Sequence, residues 1–310
     1  MDCSTIIVSY NTFELTEEAV RSALDGAKGL QHEVIVVDNN SPDQSAERLQ
    51  EAFPEAEFPH VIVVANTHNP GFAAANNQGA ALATGRILFF LNPDTIVLDD
   101  AVARLVEYID AHPKAGAVGP YVLNTDQTDQ PSLQRFPTFG YLLDFYLPVG
   151  SLFSGASRRL DYVPPQSEPA EIIKGCALAV KATTFQEVKG WDESYFMYSE
   201  ESELCWALHI AGYTNYFLRE ARIVHHGGKS TEAMHVDFQV MVYQSRLQFI
   251  RRRKGRFMVA ANRLLGATGF LGRAGLFRLM AQVRPERAEE LKKRRQAASA
   301  IWRWFVFDYS

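Results

Sequence analysis

Apolar positions in the first 111 residues come as short continuous runs separated by longer stretches of mixed polarity. Ser4–Ser9, Glu33–Asp38, His60–Ala65 and Arg86–Leu91 are six residues each, mostly apolar and rich in β-branched or aromatic side chains, which predicts four buried strands. The intervening stretches Leu15–Leu24, Gln44–Ala52, Gly71–Thr84 and Leu98–Ala111 read as helices. Strands without in/out alternation, each followed by a helix, predict an α/β fold with a mainly parallel sheet covered on both faces. Such sheets bind ligands beyond the carboxyl ends of their strands. The polar clusters Ser9-Tyr10-Asn11, Asp38-Asn39-Asn40, Asn66 to Gly71 and Asn92-Pro93-Asp94 all fall at those ends.

Further on the pattern loosens. Leu123–Pro169 is rich in Pro, Gly, Ser and aromatics and reads as irregular. Glu171–Val180 predicts a strand and Lys181–Lys189 a helix. Gly190–Glu203 leads into another helix that ends near Gly212, and the short run Ala221–Val224 precedes His225-His226-Gly227-Gly228. The rest reads as basic and helical, so the expected division is an α/β body over 1–230 and a helical extension over 231–310. Within the extension, Gly266-Ala267-Thr268-Gly269-Phe270-Leu271-Gly272 imitates a dinucleotide-binding loop. It lacks a good preceding strand, and only about 40 residues follow where a Rossmann unit needs more. Glycines that let a helix pack closely are the better reading.

Charge sharpens the division. The net charge is −5, but residues 1–250 carry 16 Lys/Arg against 32 Asp/Glu, whereas 251–310 carry 15 against 4. A basic tail on an acidic body implies an anionic partner for the tail. The three cysteines Cys3, Cys176 and Cys205 are scattered and form no zinc spacing or disulfide framework, which fits a reducing compartment. Met1-Asp2-Cys3-Ser4 runs straight into a strand without a signal-peptide core, and no run of about 18 apolar residues is present. The expectation is a cytoplasmic chain without a membrane span.

Four constellations carry candidate chemistry. Asp38 at the end of the second strand can accept a hydrogen bond from a pyrimidine ring N–H, or cap a turn in its Ser-Pro-Asp context. Asp94, with Asn92 beside it, can hold a hard divalent cation such as Mg²⁺ or Mn²⁺ against a diphosphate, or shape a tight turn. Ser199-Glu200-Glu201-Ser202-Glu203 opens a helix: a carboxylate there can serve as general base, while acids in a first turn behind a Ser cap also suit the helix dipole. His225 can complete a metal site or be structural.

These motifs coincide in order and spacing. The runs Ile6–Asn11, Val36–Ser41, Asn69–Asn77, Leu91–Thr95 and Gly190–Tyr198, running on to Gly212-Tyr213, resemble family 2 glycosyltransferases. Asn92-Pro93-Asp94-Thr95, Arg135-Phe136-Pro137-Thr138 and Ser245-Arg246 are most similar to the bacterial rhamnosyltransferases of cell-surface polysaccharide pathways. The resemblance implies a GT-A fold over 1–230 and a role for each matching residue. Ser9, Tyr10, Asn11, Asp38, Asn69, Gly71, Asn76 and Asn92 would line the donor cleft, with Asp38 on the base. Asp94 and His225 would hold the metal, Mg²⁺ or Mn²⁺. Glu201 would be the catalytic base with Glu200 before it, and Trp191 and Asp192 would border the acceptor. The sequence departs from the family where Glu stands at 201 and 203 in place of Asp, which displaces the base by about one methylene, a shift of order 1 Å. It departs again where Asn92 replaces the first metal aspartate.

The implied activity is metal-dependent, inverting transfer of a sugar, dTDP-rhamnose being the favoured donor, to a glycan or polyprenyl-diphosphate-linked acceptor. Arg251-Arg252-Arg253-Lys254, the amphipathic stretch Leu264–Val283 and the aromatics of Ala300–Phe307 suit an in-plane helix on an anionic membrane surface, at the inner face of the cell membrane. The alternatives are a UDP-sugar-dependent transferase of the same fold and an inactive carbohydrate- or nucleotide-binding relative. Nucleic-acid binding is disfavoured by the acidic body and the lack of a recognition module.

Overall fold

The computed structural model describes residues 1–147, 161–227 and 236–308. The described chain falls into two compact units, one of residues 1–135 and 161–231 and one of 136–160 and 232–310. The expected boundary at 230/231 lies outside the described residues, as do Gly228 and 148–160.

The first unit contains the expected α/β core. Strands β1 (Cys3–Ser9), β2 (His32–Asp38), β3 (Val61–Ala65) and β4 (Ile87–Leu91) alternate with helices α1 (Phe13–Asp25), α2 (Ser45–Ala52) and α3 (Phe72–Leu82). They pair in parallel in the order β3-β2-β1-β4. β1, β2 and β4 are buried at every residue, which is why their sequences are continuous apolar runs. Val20, Val34, Val36, Leu49, Phe89 and Leu105 belong to one core cluster.

The sheet is wider than the sequence pattern indicates. After β5 (Thr95–Val97) and α4 (Ala101–Ala111) the chain adds β6 (Ala115–Leu123) and the short β7 (Leu133–Gln134). Helix α5 (Phe139–Tyr146) belongs to the second unit. There follow β8 (Asp161–Tyr162), β9 (Glu168–Ala170), β10 (Ile172–Ile173), β11 (Ala177–Lys181), α6 (Ala182–Glu187), α7 (Glu200–Ile210) and β12 (Thr214–His225). Among the described residues the main sheet has nine strands in the order β3-β2-β1-β4-β11-β6-β12-β5, with β9 on β12. β1 to β4, β6 and β12 point one way; β11, β5 and β9 run against them.

Several expectations need correction here. β6 was not anticipated, because its Gly116, Gly119 and Pro120 argue against a strand. It is nonetheless fully buried between β11 and β12, and the register of β12 shifts between Leu218 and Arg222, opposite Pro120. β12 is twelve residues long rather than the short run Ala221–Val224. The strand expected over 171–180 is two pieces, β10 and β11, interrupted at Lys174-Gly175-Cys176. The helix expected from Leu98 starts at Ala101, because Leu98 still donates its N–H to the Arg222 carbonyl and Asp99 is left-handed (φ +52°).

The second unit is helical: α5 packs with α8 (Val236–Arg253), α9 (Gly255–Val283) and α10 (Ala288–Arg303), followed by a π-helical turn at Trp304–Asp308. Two glycines of the run let α9 pack closely, as expected: a Cβ on Gly266 would lie 2.4 Å from the Phe305 ring and one on Gly269 2.4 Å from the Tyr146 carbonyl, whereas Gly272 faces open space. The Tyr146 hydroxyl donates to Asn262 Oδ1 at 2.9 Å within that core.

Candidate active site

The polar residues converge because the strands end together. Parallel β1, β2, β3, β4, β6 and β12 deliver Ser9, Asp38, Ala65, Leu91, Leu123 and His225 to one edge of the sheet. β11 is antiparallel, so its start, Lys174-Gly175-Cys176, meets the same edge.

At the β1/β2 side, several of the residues expected in a donor cleft are joined by hydrogen bonds, in two groups around Asp38 and Asn69. Asn11 (φ +56°) donates its backbone N–H to Ser41 Oγ at 2.8 Å. Ser41 in turn donates its own N–H and hydroxyl to the Asp38 carboxylate at 2.8 and 2.5 Å. Asp38 is thus a buried turn-former in this structure, while Tyr10 next to it is 51 % exposed. Ser9 is buried and its hydroxyl faces Thr16 at 3.0 Å. Asn39, which sequence reasoning passed over, donates to Asn69 Oδ1 and to the Gly71 carbonyl. Asn69 also accepts from the Gly71 N–H at 2.9 Å. Asn76 is buried and donates to the Phe72 carbonyl at 3.0 Å, a helix-internal contact.

The loop before α7 is clamped onto α3. Asn77, also missed from the sequence, accepts from the Trp191 N–H at 3.0 Å and donates to the Trp191 carbonyl and to Glu193, both at 2.9 Å. The Trp191 ring is 2 % exposed and packs edge-on to Phe72 and Phe90, so the indole stands behind the site wall. Asp192 is partly exposed, and its carboxylate receives the Ser194 N–H and hydroxyl.

Glu200 and Glu201 enter α7 from two consecutive left-handed residues, Tyr198 (φ +70°) and Ser199 (φ +67°). That conformation is uncommon outside glycine and clusters at functional sites. Ser199 makes no side-chain cap, so the capping explanation of this sequence is not met. Burial pushes both carboxyls above the usual range. The neighbouring Glu201 charge adds to this at Glu200, and Lys174 partly offsets it at Glu201. One oxygen of Glu200 is buried without a hydrogen-bond partner. Two adjacent carboxyls raised by burial offer a candidate general base that ionises above the ordinary carboxylate range.

Asp94 and His225 meet through the β5/β12 pairing, which sets Thr95 opposite His225. His225 Nε2 lies 3.2 Å from Asp94 Oδ1, and the Asp94 carbonyl accepts from the His226 N–H at 2.9 Å. Burial raises the Asp94 carboxyl, but the His225 imidazole outweighs it and holds the group below the usual carboxylate range. Asn92 donates its N–H to the Cys176 carbonyl at 2.9 Å. Gly175, next in line, lies against the acidic pair: a Cβ there would sit 3.6 Å from Glu201 Cβ and 3.9 Å from Glu200 Oε1. The Gly175-Cys176 segment therefore has the Asn92–Asp94 motif on one side and the acidic pair on the other.

One carboxylate and one imidazole are suitable donors for Mg²⁺ or Mn²⁺, if a diphosphate and water supply the remaining oxygens. Among the described residues no group of three or more His, Cys, Asp or Glu is placed to hold a metal without such help. The three cysteines are buried free thiols, each pushed up to about 12 by burial.

Residues 4–160, half of the chain, match the sequence model of glycosyl transferase family 2. The chain belongs to this family.

Within the family it resembles the rhamnosyltransferases. It is 25 % identical over 215 residues to the N-acetylglucosaminyl-diphospho-decaprenol L-rhamnosyltransferase of Mycobacterium tuberculosis, covering 64 % of this chain and 67 % of that one. It is 28 % identical over 210 residues to the poly-beta-1,6-N-acetyl-D-glucosamine synthase of Staphylococcus aureus, covering 67 % of this chain and 46 % of that one. Among solved structures it superposes on the mannosyltransferase PcManGT from Pyrobaculum calidifontis, a complex with GDP-Man and Mn²⁺. The TM-score is 0.60 at 19 % identity, over 99 % of this chain and 88 % of that one. Staphylococcus aureus TarS matches with TM-score 0.54 at 14 % identity, over 87 % and 43 % of the two chains. The fold is that of GT-A glycosyltransferases, and this family 2 member is a glycosyltransferase.

Proposed function

We propose that this glycosyltransferase moves a sugar from a nucleoside diphosphate, dTDP-rhamnose first among donors, to a hydroxyl of a lipid-linked acceptor with inversion at the anomeric carbon. The observation that carries the reading is the pairing of buried Asp94 with half-buried His225 at the same strand edge as Glu200 and Glu201. The rhamnosyl donor and the polyprenyl-diphosphate acceptor are supported by the chemistry named in the mycobacterial relative.

Asp94 and His225 would hold a divalent cation, which supplies electrostatic neutralisation of the diphosphate as it departs. Around that centre the chain's own groups divide the work. The network from Asn11 through Ser41 to Asp38 fixes the turn against which the nucleoside lies, with Tyr10 exposed to it. Asn69, Asn39 and Gly71 shape the floor of the donor cleft. Glu201 takes the proton of the acceptor hydroxyl, and the oxygen attacks the anomeric carbon from the face opposite the nucleotide. Glu200 keeps its own proton, which holds the pair at a single negative charge. Asp192 borders the acceptor, and Trp191 supports it from behind.

The helical unit suggests where the acceptor is met. Phe257, Leu264 and Leu271 recur every seven residues along α9 and are 70, 65 and 56 % exposed. Leu276, Leu279 and Val283 extend the apolar surface toward the helix end. A basic helix with such a stripe suits an anionic membrane surface rather than a span. Among the described residues no helix is long and apolar enough to cross a membrane. A peripheral enzyme on the cytoplasmic face, working on a membrane-held acceptor, fits these features.

Incubation with a panel of dTDP- and UDP-sugars, Mg²⁺ or Mn²⁺ and a polyprenyl-diphosphate N-acetylglucosamine acceptor tests the reading. Nucleotide release from dTDP-rhamnose, lost at least about a hundredfold in Asp94→Ala, is the expected result. Turnover of a UDP-sugar alone would reassign the donor, and a product of retained configuration would overturn the single displacement.

A further inference from the structure

We infer that Gln130 is a positioning residue that holds the His225 ring by accepting from Nδ1–H, with Nε2 turned toward the Asp94 carboxylate. This rests on the proposed metal reading only for what Nε2 is for; the hydrogen bonds that set the ring stand alone.

β6 and β12 are parallel neighbours, with Leu123 opposite Val224, so the residue after each strand lies beside the other. After β6 the chain turns back at once. Asn124 N–H donates to the Thr128 carbonyl at 2.8 Å, Gln127 takes a left-handed conformation, and Gln130 N–H donates to the Val122 carbonyl at 3.0 Å. The turn returns the Gln130 side chain to His225.

The orientation of each amide follows from backbone carbonyls, which can only accept. Asn124 Nδ2 donates to the Asp129 carbonyl at 3.2 Å, so its Oδ1 is the atom that receives Gln130 Nε2 at 2.8 Å. Gln130 Nε2 also donates to the His225 carbonyl at 3.1 Å. Its Oε1 is then the atom facing His225 Nδ1 at 2.6 Å, and an amide oxygen cannot donate, so Nδ1 carries the hydrogen. The other nitrogen, Nε2, lies 3.2 Å from Asp94 Oδ1. A divalent cation taking the place of any proton between these two atoms would be held by both. Gly227 closes the arrangement: a Cβ there would lie 3.3 Å from Gln130 Nε2 and 3.7 Å from His225 Nδ1. A ligand imidazole whose second nitrogen donates to a fixed acceptor is oriented and made more basic, and loss of such a partner typically costs about 10–100-fold in metal affinity.

The test uses two readouts on the full chain. Long-range ¹H–¹⁵N NMR at pH 8 without metal reports the His225 tautomer. The expected result is Nδ1–H in the wild type, a shift toward Nε2–H in Gln130→Met, and Nδ1–H kept in Gln130→Glu, whose carboxylate still accepts. A wild-type ring without a proton on Nδ1 overturns the inference, whatever the metal does. Mn²⁺ is then titrated in the presence of dTDP, with the free ion followed by EPR. Gln130→Met should bind about 10–100-fold more weakly and Gln130→Glu within a few-fold of wild type. Equal binding by wild type and Gln130→Met, with Asp94→Ala impaired, overturns the role of Gln130 toward the metal. Failure of the wild type to bind Mn²⁺ overturns the metal reading while the NMR result decides the tautomer on its own.

Discussion

Gly71 lies against the carbonyl of Phe196, so closely that a Cβ would sit 2.6 Å from that oxygen. The same carbonyl accepts the Phe72 N–H at 2.8 Å, the first backbone link between α3 and the loop that leads to the acidic pair. Gly71 also has φ +93° and ψ 174°, a region open essentially to glycine.

Gly71→Ala is therefore expected to strain the backbone by about 1–3 kcal/mol and to push the 196 loop off α3. The melting temperature should fall by several degrees, and kcat should drop with the displaced Glu200–Glu201 pair. Thermal unfolding and steady-state kinetics check this. An unchanged melting temperature would mean that the Phe196 segment yields without cost.

The acidic pair makes the rate and the stability respond to pH in opposite senses. Burial raises Glu201, so activity should climb with pH through a limb above the ordinary carboxylate range. Lys174 lowers Glu201, so Lys174→Gln should move that limb to higher pH. Glu200 is raised further, first by burial and then by Glu201. A raised carboxyl means that the native state binds more protons than the unfolded chain, so stability falls as pH rises from the unfolded value, about 4.3, through the folded one. Glu200→Gln removes that loss. It should raise the melting temperature at pH 7 and leave it nearly unchanged at pH 4. Kinetic pH profiles and unfolding at the two pH values are the measurements, and a lower melting temperature at pH 7 would contradict the buried-acid account.

The exposed stripe on α9 predicts selective binding to anionic vesicles. Full-length protein should float with phosphatidylglycerol vesicles and not with phosphatidylcholine. Leu264→Glu combined with Leu271→Glu should lose flotation, since both side chains are more than half exposed and their replacement spares the helical core. The attraction should weaken with salt, as each Lys/Arg near the surface contributes about 1 kcal/mol. Equal flotation by the double variant would remove the stripe from membrane contact.

The limits of sequence reading are visible at individual residues. Asn77 sits within a quoted motif, yet its clamp on Trp191 spans 114 positions and left no local trace. Gln130 lies in Asn124-Thr125-Asp126-Gln127-Thr128-Asp129-Gln130, a polar run that reads as a turn and nothing more. The Asp38 carboxylate accepts from Ser41 three residues on, the turn role that the Ser-Pro-Asp context allowed beside the nucleoside role.

By itself the sequence determined the α/β class, the first four strands and the clusters at their ends, because buried parallel strands need continuous apolar runs and local turn chemistry marks where they stop. It also determined the packing role of the α9 glycines and the asymmetry of charge. Only the tertiary structure decided that β6 is a central strand despite Pro120, that β11 runs backward to bring Gly175-Cys176 to the site edge, and that Asp94 meets His225. Strand order, direction and register are set by contacts between segments far apart in the chain, and no window of local sequence contains both partners of such a contact.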